Sequence, residues 1–262
     1  MKMLLAVDIG NSSITVGGFA AESEPVFTVR FATDAHRSAD EYAAALRGAL
    51  AQYAIPLESI SDGAIASVVP PLTVVLRGAL EQLGCERVLI VGAGVKTGIS
   101  IRTDAPSEVG ADIIANAAAV ANLTEGAAII LDIGTATTVF AMNQKKDLIG
   151  GTILPGLRSS LEGLRNATAQ LPMVALSAKE ALGKNTAECI SGGVLWGHAF
   201  AIDGFIERFS ALDGMENAAF FATGGPASLV LPLCRAEIKE EPFLTLKGLR
   251  VIYEKTRKIK VC

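Results

Sequence analysis

The segment Asp-Ile-Gly occurs twice in this chain, at Asp8 to Gly10 and at Asp132 to Gly134, nearly half of the 262 residues apart. Each copy closes a short apolar run, LLAVDIG or AIILDIG, and leads through small and hydroxyl residues into another apolar run. Such a pattern predicts strand, tight turn, strand. Its recurrence at this distance predicts a fold built from two similar halves. Glycine lets each turn bring its backbone close to an anion, and successive N–H groups in such a turn form an anion-binding concavity. A carboxylate fixed at the strand end, beside that concavity, suits a metal-bound polyphosphate. Two such elements would make a nucleotide clamp.

The rest of the chain fits two halves. Strands are predicted at Leu4 to Val7, Ile14 to Phe19 and Pro25 to Ala32. A helix follows to Gln52, with capping-box spacing from Ser38 to Glu41. A buried strand at Gly63 to Val69, a helix at Leu72 to Leu83 and a strand at Arg87 to Val91 complete the first series. A helix at Ala111 to Ala121 bridges to the second series, which restarts with strands at Ala128 to Leu131, Val139 to Met142 and Leu148 to Ile153. Helices at Leu157 to Leu164 and Ile190 to Phe209, a strand at Ala218 to Thr223 and a helix after Gly248 end it. Three strands and then alternating helices and strands, read twice, predict two similar α/β domains, each a mixed sheet flanked by helices. The expected division is 1–122, carrying the first phosphate loop, and 123–262, carrying the second.

Composition narrows the function. Half of the residues are hydrophobic and 19% are charged, as in globular proteins. A net charge of −4, without a long basic block, argues against a nucleic-acid partner. The basic cluster Lys255 to Lys260 reads as a solvated tail. Charged and amide residues interrupt the most apolar stretch, Ala111 to Leu131, so no membrane span is expected there. The four cysteines show no paired spacing and give no reason to invoke zinc or a disulfide framework. A cytoplasmic protein is expected.

In the first copy, Asp8 is placed to hold Mg²⁺ directly or through water, because Mg²⁺ commonly binds one or two carboxylates plus phosphate oxygens. Asn11, Ser12 and Ser13 add side-chain hydrogen bonds. In the second, Thr135 and Thr137 supply hydroxyls around Gly134, and the same geometry is expected. Thr223-Gly224-Gly225 either receives the nucleotide or is only a strand-to-helix turn. Gly92 to Thr97 lacks the spacing of a P-loop. His36 and His198 have no evident partner and read as surface or core residues. Asp112 falls in the first turn of an apolar helix. It is either an acid complementing the helix dipole or a general base for a substrate hydroxyl; local pattern does not choose.

Taken in order, these motifs resemble the type III pantothenate kinases, within the actin, Hsp70 and sugar-kinase superfamily of ribonuclease H-like folds. The resemblance runs through DIGNSS at Asp8, SVVP at Ser67, KTGI at Lys96, EVGAD at Glu108 and LDIGTATT at Leu131. It continues with GGTILPG at Gly150, TAQLP at Thr168, NT at Asn185, SGG at Ser191 and TGG at Thr223. The resemblance implies transfer of the ATP γ-phosphate to the primary hydroxyl of pantothenate, the first step toward coenzyme A. It implies that Asp112 is the general base, and that Asp8, Ile9, Gly10, Asn11, Ser12, Ser13, Ile14 and Thr15 cradle the phosphates with Mg²⁺. It further implies that Asp132 holds a monovalent cation, K⁺ or NH₄⁺, and that Thr135 touches ATP. Gly110, Ala111, Asp112, Ile113 and Thr186 would line the acceptor pocket of a homodimer.

The chain departs from that family at three positions. Ile113 stands where the family has arginine, Thr103 where it usually has tyrosine, and Phe140 where it commonly has aspartate. The first two belong to acceptor recognition. A charge-assisted hydrogen bond lost there, at roughly 1.5–3 kcal/mol, weakens binding by about 10- to 150-fold. Arg102 or another basic side chain is a candidate replacement. Two other readings stay open: a kinase of another small hydroxyl compound, and a nucleotide-binding regulatory protein without kinase activity.

Overall fold

The run MLLAVDI is buried along its whole length apart from Asp8, which is half-buried, and forms β1 (Met3–Ile9). It turns through Gly10 into β2 (Ser13–Phe19), antiparallel, with Asp8 opposite Thr15. β3 (Phe27–Ala32) extends the meander. α1 (Ala39–Gln52) starts on the predicted capping box: the Glu41 backbone N–H donates to the Ser38 hydroxyl at 3.3 Å, and the Ser38 N–H donates to the Glu41 carboxylate at 2.7 Å. β4 (Ile60–Ser67) stops two residues before the predicted end, where the Val69 N–H turns to the Ser67 hydroxyl at 3.1 Å and Val69 caps α2 (Pro70–Gln82). β5 (Arg87–Ile90) follows. The helical crossovers make β4 and β5 parallel to β1, giving the order β3-β2-β1-β4-β5. The computed structural model describes residues 2–92, 94–177 and 179–257. The end of the Lys255 to Lys260 cluster, from 258 on, lies outside them.

A two-residue strand, β6 (Ser100–Ile101), precedes α3 (Ala111–Leu123). The second series is β7 (Ala128–Ile133), β8 (Ala136–Met142), β9 (Asp147–Pro155), α4 (Leu157–Ala167) and α5 (Thr186–Ser210). It ends with β10 (Ala219–Thr223), a single turn α6 (Ala227–Val230), a two-residue β11 (Lys239–Glu240) and α7 (Leu244–Arg257). The sheet order is β11-β10-β7-β8-β9-β6. Five of those strands repeat the first sheet, with β7 in the place of β1 and β10 in the place of β4. The duplication in the sequence is a duplication of topology.

Each unit has its own core. In the first, Leu5, Val7, Ile9 and Ile14 meet Leu46, Leu50, Leu72 and Leu76. In the second, Ile129, Leu131 and Val139 meet Leu157, Ile190, Val194 and Ile202. By length and composition α5 could cross a membrane, yet Ile190, Val194, Leu195, Ile202 and Ile206 are buried in this core.

The division between the units differs from a single cut after residue 122. One unit comprises residues 1–100, 104–123 and 244–262; the other comprises 101–103 and 124–243. The terminal helix α7 returns to the first unit because its apolar face (Leu244, Leu249, Ile252) is buried there. Gly248 lies so close to α3 that a β-carbon on it would collide with the Ala115 carbonyl oxygen. The Thr245 hydroxyl donates to Asn116 Oδ1 at 2.9 Å. Residues 101–103 go to the second unit, where the Arg102 N–H donates to the Leu148 carbonyl at 2.9 Å.

Candidate active site

The first Asp-Gly loop is braced on two sides. Gly10 N–H donates to the Ser13 carbonyl at 3.0 Å, closing the turn. The Thr33 hydroxyl, just past β3, donates to the Gly10 carbonyl at 2.7 Å, and Thr33 N–H donates to the Ser12 carbonyl at 3.2 Å. From the other side, Val68 N–H donates to the Ile9 carbonyl at 3.0 Å. Asp8 is half-buried, Asn11 and Ser12 are exposed, and Thr15 is buried. Ile9 and Ile14 are fully buried in the core, so only their backbone can face a ligand. The role of Thr33 was not legible in the sequence, since no motif ties it to Gly10.

The second loop is one residue shorter: Asp132 is opposite Thr138, whereas Asp8 is opposite Thr15 one position further on. The expectation of identical geometry is corrected to that extent. Gly134 N–H donates to the Ala136 carbonyl at 3.0 Å. The Thr135 carbonyl accepts from Gly156 N–H at 3.0 Å and from the Ser159 hydroxyl at 2.7 Å. Thr135 is exposed, but Thr137 is fully buried and its hydroxyl is 3.1 Å from His198 Nε2. Thr137 therefore braces the loop and offers no hydroxyl to a ligand. Gly224, at φ +107°, packs against the Ile133 backbone, where a β-carbon would collide. The TGG turn is thereby seated directly on the end of β7.

Asp112 stands at the second position of α3, half-buried. Its Oδ1 accepts from Ile113 N–H at 2.8 Å. Burial pushes its pKa above the usual carboxylate value, and the Ile113 hydrogen bond only partly opposes that. A β-carbon on Gly110 would collide with Asp112 Oδ1, so a side chain there would displace that carboxylate. A carboxylate with raised basicity in a glycine-bordered niche can accept a hydroxyl proton.

The remaining predicted residues are distributed as follows. Gly110, Ala111 and Ile113 share the first unit with the loop 8–15. Thr103, Asp132, Thr135 and Thr186 belong to the second. The Thr103 hydroxyl is buried and has no hydrogen-bond partner among the described residues. Arg102, the candidate replacement cation, is 3.5 Å from Asp147 Oδ1 and thus already ion-paired. Thr186 follows the helix cap Asn185, whose side chain accepts from Glu188 N–H at 3.0 Å. It helps to line a cavity of about 780 Å³, together with Ser160, Lys184, Cys189, Gly193 and His198. His36 is exposed, as expected. His198 is buried and partnered, and nothing in its local sequence announces that partner.

Two sheets of the same order, each with an aspartate–glycine turn closing its first strand, define an ATPase or kinase of the actin-like class. The fold is similar to component A of (R)-2-hydroxyglutaryl-CoA dehydratase from Acidaminococcus fermentans, at TM-score 0.58 and 13% identity over 100% of both chains. It is also similar to MreB 5 of Spiroplasma citri bound to AMPPNP, at TM-score 0.56 and 10% identity, covering 100% of this chain and 98% of that one. Sequence then selects within the class. The family model for type III pantothenate kinase matches residues 4–208. The type III pantothenate kinase of Moorella thermoacetica is 42% identical over 255 residues, covering 97% of this chain and 99% of the relative. That of Streptomyces coelicolor is 38% identical over 261 residues, covering 97% and 98%. The chain belongs to the type III pantothenate kinase family.

Proposed function

We propose that this chain carries out the reaction its family is named for, phosphorylation of pantothenate with ATP, and that Asp112 is its general base. The observation carrying the assignment is the raised basicity of a half-buried carboxylate that a side chain at 110 would displace. Asp112 takes the proton of the primary hydroxyl as that oxygen attacks the γ-phosphorus; ADP leaves with the electrons of the broken P–O bond. Gly110, Ala111, Ile113, Thr103 and Thr186 are assigned to the acceptor side.

Residues 8–15 are assigned to the phosphates, with Thr135 on ATP from the second loop. Among the described residues no three carboxylate, histidine or cysteine side chains cluster as a metal cage. That suits Mg²⁺, which takes few protein ligands and completes its shell with phosphate oxygens and water. Asp8 would hold it, and it would neutralise charge on the transferring phosphoryl group. Asp132, at the matching strand end, is assigned a monovalent cation, K⁺ or NH₄⁺. A cytoplasmic homodimer, independent of nucleic acid and membranes, completes the reading.

Purified protein with ATP, Mg²⁺ and K⁺ is expected to convert pantothenate to 4′-phosphopantothenate. Absence of turnover at millimolar pantothenate sinks the reading. A second reading, a different small hydroxyl acceptor, is favoured by Ile113 and by the unpartnered Thr103 hydroxyl. A screen of hydroxy acids and polyols for ATP consumption separates the two, and preference for pantothenate rejects the second.

A further inference from the structure

His198 sits in the middle of α5 and is 6% exposed. Its Nε2 lies 3.1 Å from the hydroxyl of Thr137, sixty-one residues earlier in the chain and fully buried. The backbone carbonyls of Val194, one turn back on α5, and of Pro155, the last residue of β9, face the ring and favour its protonated form. Burial outweighs those carbonyls and lowers its pKa, so the imidazole is neutral near pH 7, with one N–H to donate and one nitrogen to accept.

Thr137 and Pro155 are the two limbs that carry the second Asp-Gly loop. Ala136 is paired with Pro155 across β8 and β9, and Thr137 is paired with Ile133, next to Asp132. Gly156, immediately after Pro155, holds the Thr135 carbonyl. One imidazole therefore touches both ends of the frame on which Thr135 and Asp132 are mounted. The same ring forms part of the wall of the 780 Å³ cavity that Thr186, Lys184 and Ser160 also line. A buried position needing only bulk is met by leucine or phenylalanine; a ring hydrogen-bonded to a buried threonine specifies geometry instead.

We propose that His198 is a positioning residue for the second phosphate loop, fixing it through Thr137 so that Thr135 and Asp132 keep the arrangement phosphoryl transfer requires. The proposal rests on the kinase reading above. It concerns alignment rather than binding of the acceptor, because a displacement of about 1 Å costs on the order of 100-fold in rate.

The test compares His198→Phe, His198→Gln, Thr137→Val, Thr137→Ser and the double variant Thr137→Val/His198→Phe with the parent chain. His198→Phe and Thr137→Val are each expected to lower kcat by about 10- to 100-fold while the KM for pantothenate stays within about threefold. Thr137→Ser and His198→Gln, which keep a hydrogen-bonding group, are expected to recover most of that loss. The double variant is expected to be no worse than the poorer single variant, since both act on one contact. A kcat within threefold of the parent in His198→Phe overturns the proposal. So do losses that multiply in the double variant, or no advantage of Ser over Val. Calorimetric titration with a non-hydrolysable ATP analogue keeps the test independent of the acceptor: His198→Phe is expected to weaken it about tenfold, and unchanged affinity counts against the proposal. If the parent chain binds the analogue but does not turn over pantothenate, the functional reading fails, and the titration still decides the role of His198.

Discussion

Gly156 donates its backbone N–H to the Thr135 carbonyl at 3.0 Å, and a β-carbon on Gly156 would stand 2.6 Å from that same oxygen. The second Asp-Gly loop thus rests on bare backbone. Gly156→Ala must push the loop away, and is expected to lower kcat at least tenfold and to cost more than about 1 kcal/mol of stability. Gly48, inside α1 with open space around it, is the contrasting site. Gly48→Ala is expected to raise stability by about 0.5–1 kcal/mol with unchanged activity. Urea melts and steady-state assays on both variants check the pair.

In the proposed role of general base, Asp112 would couple activity and stability through one carboxyl. Removing a general base lowers kcat by about 10²- to 10⁴-fold, which is expected of Asp112→Asn with the fold intact. Because burial raises its pKa in the folded state, the acid limb of kcat/KM is expected at higher pH than an ordinary carboxylate would give. The stability sign follows from the same shift. The folded chain holds the proton more tightly than the unfolded one, so the stabilisation is present at low pH and is lost as pH rises through the folded value. At pH 7–8, Asp112→Asn is therefore expected to melt at or above the temperature of the parent. That advantage should vanish in acid.

Thr33 anchors the first loop through its hydroxyl to the Gly10 carbonyl. Thr33→Val keeps shape and removes that donor. It is expected to cost about 1 kcal/mol of stability and, by loosening the loop, to weaken nucleotide binding about tenfold. An unchanged dissociation constant for ATP would show that the backbone hydrogen bonds from Thr33 and Val68 hold the loop without the hydroxyl.

Asp203 is a structural acid by contrast. Buried in α5, its carboxylate accepts from Arg235 N–H at 3.0 Å and Ala236 N–H at 3.1 Å, with Arg235 Nε at 3.3 Å. Asp203→Ala strands those donors, so a loss of about 1–3 kcal/mol is expected in urea unfolding. The KM values should barely move.

The strand meanders, the capping box and both Asp-Gly turns were legible because each is written in residues a few positions apart. Two continuous apolar runs and a glycine at the turn between them suffice for a hairpin. The features that escaped are those made by distant partners. Thr33 with Gly10, His198 with Thr137 and Gly248 with Ala115 carry no local signature. The shorter second loop was hidden for a different reason: DIGNSSIT and DIGTATT look alike until strand pairing shows where each turn closes. Two-residue strands such as β6 and β11 have too few residues for a period to show. Ile113 was visible as a departure; the ion pair that Arg102 makes with Asp147 was not, because the two lie forty-five residues apart in the chain.

The return of α7 to the first unit sets an order of events during synthesis. The ribosome makes β1 to α3 before the middle unit, but the helix that covers Ala115 and Asn116 emerges only after it. Until then the nascent amino-terminal unit displays the apolar face that Leu244, Leu249 and Ile252 will cover, while the middle unit already has all of its strands. The half made first is the half finished last, and a chain cut short before Leu244 would leave its beginning, rather than its end, exposed to aggregation and proteolysis.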